Sequence, residues 1–314
     1  MGHRRMRVPV YWIALLLGVF AVAPVAAEAA LRLYASYTRR DHLFRSDAQT
    51  GWSNAPNLLT MRINAAGEEW SIRTDQNGQR LIEQNPFARR RILILGDSLS
   101  FGEGIDIKDR FDVNMLSSLP GTRIINTGTM GYGTDQEYVA FRNWKHLLES
   151  GDTVLIVLNQ SDYFDVLRRR FFGRAKPYFE RVDGSYVLRS PPIGLWERWG
   201  DRSRVASVVA RFLEPTALES LDPSQSIEII RFILGRIREE VPLGVTVVLA
   251  HQGTRDFLGP KLGLSSTIFC QFAHVCIDLD EVLAANPAHF LPDGHWSASG
   301  HAAVAQALLK ALRD

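Results

Sequence analysis

Two short stretches hold the side chains that could do covalent chemistry. The first is Arg91-Ile92-Leu93-Ile94-Leu95-Gly96-Asp97-Ser98-Leu99-Ser100-Phe101-Gly102. An apolar run of branched residues, stopped by a glycine, an acid and a serine, reads as a buried parallel strand entering a sharp turn at a sheet's C-terminal edge. Open α/β sheets place their chemistry at that edge. A serine there, flanked by glycines that let the backbone turn tightly, is placed to act as a nucleophile with an N–H beside it as oxyanion donor. The same residues also suit a serine that merely caps a helix. The second stretch, Asp293-Gly294-His295-Trp296-Ser297, lies just before the last helical segment. A serine nucleophile needs a base within hydrogen-bond reach and a group to orient that base. With one glycine between them, Asp293 can hold one imidazole nitrogen of His295 while the other faces Ser98. His301 reads as a packing or capping residue, and His251, His274 and His289 have no comparable acid arrangement.

Alternating strands and helices must carry these stretches. Strands are expected over Ile92–Leu95, Arg123–Gly128, Thr153–Leu158, Val245–Ala250 and Val275–Leu279. Helices are expected over Asp106–Leu119, Asp135–Leu148 (capped by Thr134 or Asp135), Ser226–Val241 and Ala298–Leu312. Such alternation implies an α/β fold, a flavodoxin-like three-layer sandwich with a central parallel sheet of about five strands. Residues 41–88, with turn signals at Gly51-Trp52-Ser53-Asn54-Ala55-Pro56-Asn57 and Asp75-Gln76-Asn77-Gly78, read as a small β-rich lead-in. Arg89-Arg90-Arg91 read as a solvated strand entry. The order is broken by residues 163–222, too long for a simple connection. Arg168-Arg169-Arg170-Phe171-Phe172, Arg174, Lys176, Tyr178-Phe179, Trp196 and Trp199 interleave charge and aromatic rings there. They suit an anionic polymer, sugar rings or a membrane surface, or else a subdomain with its own small core and a solvated face.

The formal charge of +2 conceals an asymmetry. Residues 1–40 hold six arginines against Glu28, leaving 30 basic and 33 acidic residues in the remainder. That balance argues against a nucleic-acid partner. His3-Arg4-Arg5-Met6-Arg7 precedes an uncharged run of 20 residues, Val8 to Ala27, long enough to cross a bilayer as a helix. Residues 1–40 are therefore expected to act as a membrane anchor, with contact through residues 8–33; Pro24-Val25-Ala26-Ala27 also suits a signal cleavage site. Either reading exports the rest of the chain. Cys270 and Cys276 cannot make a zinc site, and in an exported chain they form a small-loop disulfide or stay as two thiols. No metal or organic cofactor is implied.

Taken together, Gly96-Asp97-Ser98-Leu99, Asn126 to Gly131, Asp162, and Asp293 with His295 resemble the successive motif blocks of the SGNH (GDSL-type) hydrolase superfamily, over residues 89–314. The Asp-x-His-Trp form of the last block is similar to the branch that includes bacterial polysaccharide O-acetylation proteins. Gly51-Trp52, Asn77-Gly78 and Arg80 after an apolar segment also resemble membrane-anchored bacterial members. The resemblance implies Ser98 as nucleophile, His295 as base, Asp293 as orienting acid, and the N–H groups of Ser98 and Gly131 in the oxyanion hole. It implies structural support from Asp97 and Asp162. The third block departs from the usual Gly-Asn-Asp: Asn159-Gln160-Ser161-Asp162 puts Ser161 in the asparagine's column, so the third donor is Ser161 or Asn159.

The expected function is a serine esterase working through an acyl-enzyme on O-acyl, chiefly acetyl, esters of envelope or secreted carbohydrate. Alternatives are an O-acyltransferase working with envelope polysaccharide machinery, a non-catalytic carbohydrate-binding or assembly protein, and a lipase. The expected location is the inner membrane, with the catalytic part outside the cytoplasm, or the periplasm after signal cleavage.

Overall fold

The computed structural model describes residues 10–37, 43–171, 173–191, 203–212, 223–253 and 266–313. The N-terminal apolar run is one helix, α1 (Val10–Tyr37), long and apolar enough to cross a membrane. Two antiparallel hairpins follow, β1 (Phe44–Asp47) with β2 (Gly51–Asn54), and β3 (Leu59–Ile63) with β4 (Glu69–Arg73). They bury Trp52, Trp70 and Ile72. Arg80 lies buried over the rings of Trp70 and Phe101 and donates to the carbonyls of Phe101, Gly102 and Ile105. The lead-in is thereby fastened to the turn that follows Ser98.

The main layer order follows: β5 (Arg90–Leu95), α2 (Ser98–Phe101), α3 (Phe111–Ser118), β6 (Thr122–Asn126), α4 (Thr134–Trp144), β7 (Thr153–Asn159) and α5 (Asp162–Asp165). Two small hairpins, β8 (Arg170–Phe171) with β9 (Arg174–Ala175) and β10 (Tyr178–Val182) with β11 (Ser185–Arg189), precede α6 (Arg204–Phe212). The chain then runs through α7 (Pro223–Glu240), β12 (Thr246–Gln252), β13 (Val275–Asp278), α8 (Leu279–Leu283) and α9 (Ala298–Ala311).

Five strands pair in the order β13-β12-β7-β5-β6, all parallel, so the fold is α/β with flavodoxin-like strand order. Alternate residues of each strand feed opposite faces. Leu93, Leu95, Val154, Ile156 and Leu158 meet Tyr138 and Phe141 of α4 and Ile230, Ile233 and Ile237 of α7. Ile92, Ile94, Leu155 and Val157 meet Phe111 and Met115 of α3 and Val304 and Leu308 of α9. Both faces are covered, which is why the strand sequences are apolar without interruption.

Several local expectations are corrected. The first crossover splits into a 3-10 turn at Ile107–Asp109 and α3, because Arg110 is extended between them. Neither Thr134 nor Asp135 caps α4: the N-cap is Gly133, whose N–H donates to Gln136 Oε1. Thr134 instead donates to Asp162, and Asp135 takes the buried ammonium of Lys176 at 2.6 Å. While α6 lies against α1, around β10 and β11 the insertion packs apolar side chains into the main core rather than a core of their own. Phe179 is buried there against Tyr138 and Phe232, with Tyr186 and Leu188 packed beside it. Its cations are engaged as well: Lys176 with Asp135, Arg168 with Asp165, Arg189 with Glu180. Arg91 pairs with Asp152 at the strand entry. Trp196 and Trp199 lie outside the described residues. Cys270 and Cys276 are disulfide-bonded beside the edge strand β13.

Candidate active site

β5 ends in Gly96-Asp97, and Ser98 opens α2 immediately afterwards. Asp97 is the N-cap, its carboxylate accepting the Leu99 N–H at 2.9 Å. The turn is tight enough that a Cβ on Gly96 would lie 2.1 Å from Ser100 Oγ. It is also closed from the side by the next strand: a Cβ on Gly128 would lie 2.6 Å from the Phe101 nitrogen, and Asn126 Nδ2 donates to the Ser100 carbonyl at 2.7 Å. Strand β6 therefore delivers the Asn126–Gly131 turn against the turn that carries Ser98.

The Asp293–Trp296 loop reaches the same edge from the far end of the chain. Trp296 is wholly buried and donates its indole N–H to Gln252 Oε1 at 2.8 Å. Gly294 has a φ of 93°, in the left-handed region that favours glycine. Ser297 caps α9 by accepting the Gly300 N–H. So anchored, His295 Nε2 sits 2.9 Å from Ser98 Oγ, and its Nδ1 lies 3.1 Å from Asp293 Oδ2. That second contact is a close charge pairing in which the ring N–H is not aligned on the oxygen. Burial works to lower the His295 pKa, but the Asp293 carboxylate and the charges of Glu103 and Asp97 outweigh it, and the net shift is upward. The same pairing holds Asp293 below its ordinary value despite partial burial.

Glu103 was not singled out by sequence reasoning. Its N–H bonds back to the Ser98 carbonyl, and its Oε2 comes to 3.5 Å from His295 Nε2, the nitrogen that faces the serine. Burial pushes its carboxyl up, against the opposing charges of His295 and Arg62. The only signal available in the sequence is its position five residues after Ser98, past a left-handed Gly102 that turns the chain back.

The third motif block lies at the end of β7. Asn159 Oδ1 accepts the Ser161 N–H at 2.7 Å, which fixes the orientation of the amide, and Nδ2 is left buried without a protein partner. Ser161 Oγ donates to Asp97 at 3.2 Å, so its hydroxyl is engaged with the turn that carries Ser98. Asp162 is fully buried, accepting the Asn159 N–H and the Thr134 hydroxyl, and burial pushes its carboxyl well up. Ser98, Asn159, Gln160, Ser161, Gln252, Asp293 and His295 line one cavity of about 90 Å³. Both polar ends of Gln160 are buried there without protein partners. Gly131, with a φ of 75°, stands in the adjoining turn and is not among the lining residues.

His301, His251, His289 and His274 stand apart from the Ser98–His295 pair. His301 is buried, stacked on Phe111 and accepting that residue's N–H, and burial lowers its pKa to about 3. His251 bonds the Tyr163 hydroxyl, His289 pairs with Ser299, and His274 meets Arg238 and the Val247 N–H. No group of side chains able to hold a metal ion occurs among the described residues.

No protein-family model and no curated protein matches the sequence. Solved structures do. A member of the lipolytic G-D-S-L family from Veillonella parvula is 12% identical, with a TM-score of 0.42 over 70% of this chain and 97% of that one. A psychrotrophic esterase from Pseudoalteromonas sp. is 12% identical, with a TM-score of 0.44 over 71% and 96%. A carbohydrate esterase family 2 enzyme plus carbohydrate-binding domain from Corynascus thermopiles is 15% identical, with a TM-score of 0.42 over 74% and 68%. The solved chains to which this protein is similar include lipolytic proteins of the G-D-S-L family and an SGNH-hydrolase family esterase.

Proposed function

We propose that this protein is an SGNH-type serine esterase that cleaves short O-acyl esters, most simply acetyl esters of envelope or secreted carbohydrate, through an acyl-enzyme. The observation that carries the reading is the 2.9 Å contact between Ser98 Oγ and His295 Nε2, with a carboxylate on the far ring nitrogen, at a small cavity on the sheet edge. Ser98 Oγ attacks the ester carbonyl as its proton passes to His295 Nε2, and the carbonyl electron pair moves onto oxygen. The imidazolium then returns that proton to the departing alkoxide, leaving an acyl-serine. Water, deprotonated by the same nitrogen, attacks the acyl carbon and frees the acid and Ser98.

Donors aimed at the developing oxyanion supply much of the rate in such reactions. Here they are the Ser98 N–H, the Gly131 N–H in the turn packed against α2, and Asn159 Nδ2. Asn159 is preferred to Ser161 because its amide has a free buried donor whereas the serine hydroxyl is held by Asp97. A cavity of about 90 Å³ favours an acetyl-sized acyl group over a lipid chain. Residues 1–40 hold the protein to the inner membrane with residues 89–314, including the insertion at 163–222, outside the cytoplasm; residues 41–88 are the lead-in that braces α2.

A fluorophosphonate probe tests the reading. Adduct formation confined to Ser98 in the wild type, absent in Ser98→Ala and strongly reduced in His295→Ala, is the expected outcome. A folded wild-type protein that takes no label overturns it and favours the carbohydrate-binding alternative.

A further inference from the structure

Helix α1 contains one acidic residue, and that residue is bonded to a distant part of the chain. Glu28 accepts the Arg204 N–H at 3.0 Å, the Val205 N–H at 3.0 Å and the Ser203 hydroxyl at 2.9 Å. Its carboxylate thus caps the first turn of α6 and meets the positive end of that helix dipole. Arg32, one turn along α1, pairs with the same carboxylate at 2.7 Å. An ionised group on an otherwise apolar spanning helix is costly unless it is satisfied, and α6 supplies the donors.

The position of Glu28 along α1 sets the depth of the contact. Eighteen residue steps separate it from Val10, about 27 Å of helix rise, close to the ~30 Å thickness of a bilayer's hydrocarbon core. With Arg4, Arg5 and Arg7 on the cytoplasmic side, a helix that enters the hydrocarbon near Val10 leaves it near Glu28. The start of α6 then falls at the outer membrane–water boundary. α6 packs against α1 with Ala206 buried, whereas Val208 and Val209 remain 37% and 39% exposed. Ser207 lies on another side of the same helix, as its 3.6-residue period requires, while Arg204, one turn before Val208, borders that face.

We infer that α6 is a membrane-interface helix, clamped to the retained anchor by Glu28, whose Val208–Val209 face rests in the headgroup–acyl boundary of the bilayer. The partner is the lipid surface itself. The inference rests on the proposed anchor role of residues 1–40. It explains why an insertion leaves the catalytic layer to return to the N-terminal helix, and it ties the active-site domain to the membrane at a second point besides the chain connection.

The test uses the full chain in phosphatidylcholine–phosphatidylglycerol vesicles. Because both native cysteines are bonded to each other, a fluorophore can be placed singly on Val208→Cys, Val22→Cys or Leu243→Cys. Quenching by lipids carrying doxyl groups on their chains reports depth. Strong quenching is expected at Val22, clear quenching at Val208, and little at Leu243, which is 97% exposed beside the catalytic layer. Adding Glu28→Ala is expected to bring the Val208 signal down toward that of Leu243 while leaving Val22 quenched. Quenching at Val22 with a water-like signal at Val208 overturns the inference, as does a Val208 signal indifferent to Glu28→Ala. An unquenched Val22 probe, or an N-terminus beginning after Ala27, overturns the anchor reading instead.

Discussion

His295 is held between carboxylates on both ring nitrogens, Asp293 at Nδ1 and Glu103 at Nε2. Charges that stabilise the imidazolium raise its pKa, and the base must be neutral to accept the Ser98 proton. Labelling or hydrolysis should therefore rise with pH along a limb that lies above the ordinary imidazole value, since activity is lost as the folded-state proton is taken up on going down in pH. Glu103→Gln keeps the shape and removes one charge that favours the imidazolium, so the limb should move to lower pH. A profile that superimposes on the wild type removes Glu103 from the proton balance; Asp97, Asp293 and Arg62 are the other charged groups facing the pair. At the oxyanion, Asn159→Ala should lower kcat by roughly a hundredfold to a thousandfold with KM little changed. Ser161→Ala, which removes only a brace on Asp97, should cost much less. Steady-state kinetics on a short-chain aryl ester separates the two.

At the level of elements, the site is a meeting of a strand-to-helix turn with a loop pinned from behind. Trp296 does the pinning, through full burial against Phe111 and His301 and a hydrogen bond to Gln252, itself at the end of β12. Truncating a buried aromatic of this size costs about 3–5 kcal/mol. Trp296→Ala should therefore lower the urea midpoint markedly and, at temperatures where the protein remains folded, slow labelling of Ser98. Trp296→Phe should recover most of the stability but not the tether to Gln252, so its defect should sit mainly in kcat.

For the molecule as a whole, Asp135, Glu137, Asp162 and Asp165 form a group of buried acids behind the turn that carries Ser98. Burial pushes Asp135 up to about 6 and Asp165 up to about 7, in spite of Lys176 and Arg168, and pushes Glu137 well up. A carboxyl whose folded pKa exceeds its unfolded value of ~4 binds more protons folded than unfolded, so its contribution to stability falls as pH rises from about 4 to the folded value. His301, lowered to about 3, acts in the opposite sense: its contribution is lost as pH falls from the unfolded imidazole value of ~6.5 toward 3. Asp165→Asn removes one of the raised groups. Relative to wild type, the variant should be more stable, or less destabilised, at pH 7.5 than at pH 5, as read from urea unfolding at the two pH values. An unchanged difference between them would falsify the assignment of Asp165 as a proton-binding group in the folded state.

The linear chain by itself determined the layer architecture, because a parallel sheet covered on both faces needs uninterrupted apolar strands of short length, and these stand out between helical segments. It also singled out Ser98, Asp293 and His295 as candidates, since Gly-Asp-Ser after a buried strand and Asp-Gly-His-Trp before a helix are informative locally, and the fold brings the three together. Other matters were decided only in three dimensions. The cap of α4 passed to Gly133 because Thr134 and Asp135 were drawn away by partners 28 and 41 residues distant. The proposed preference for Asn159 over Ser161 as oxyanion donor rests on which polar atom is already satisfied, a question of contacts rather than of residue type. Glu103 gained its relation to His295 only when residues nearly two hundred positions apart met at one sheet edge. Glu28 enters the sequence only as the one acid among the first 40 residues, and its partners in α6 appear only in the folded chain. Periodicity records which face a side chain presents; its partner is set by packing between segments far apart in the chain.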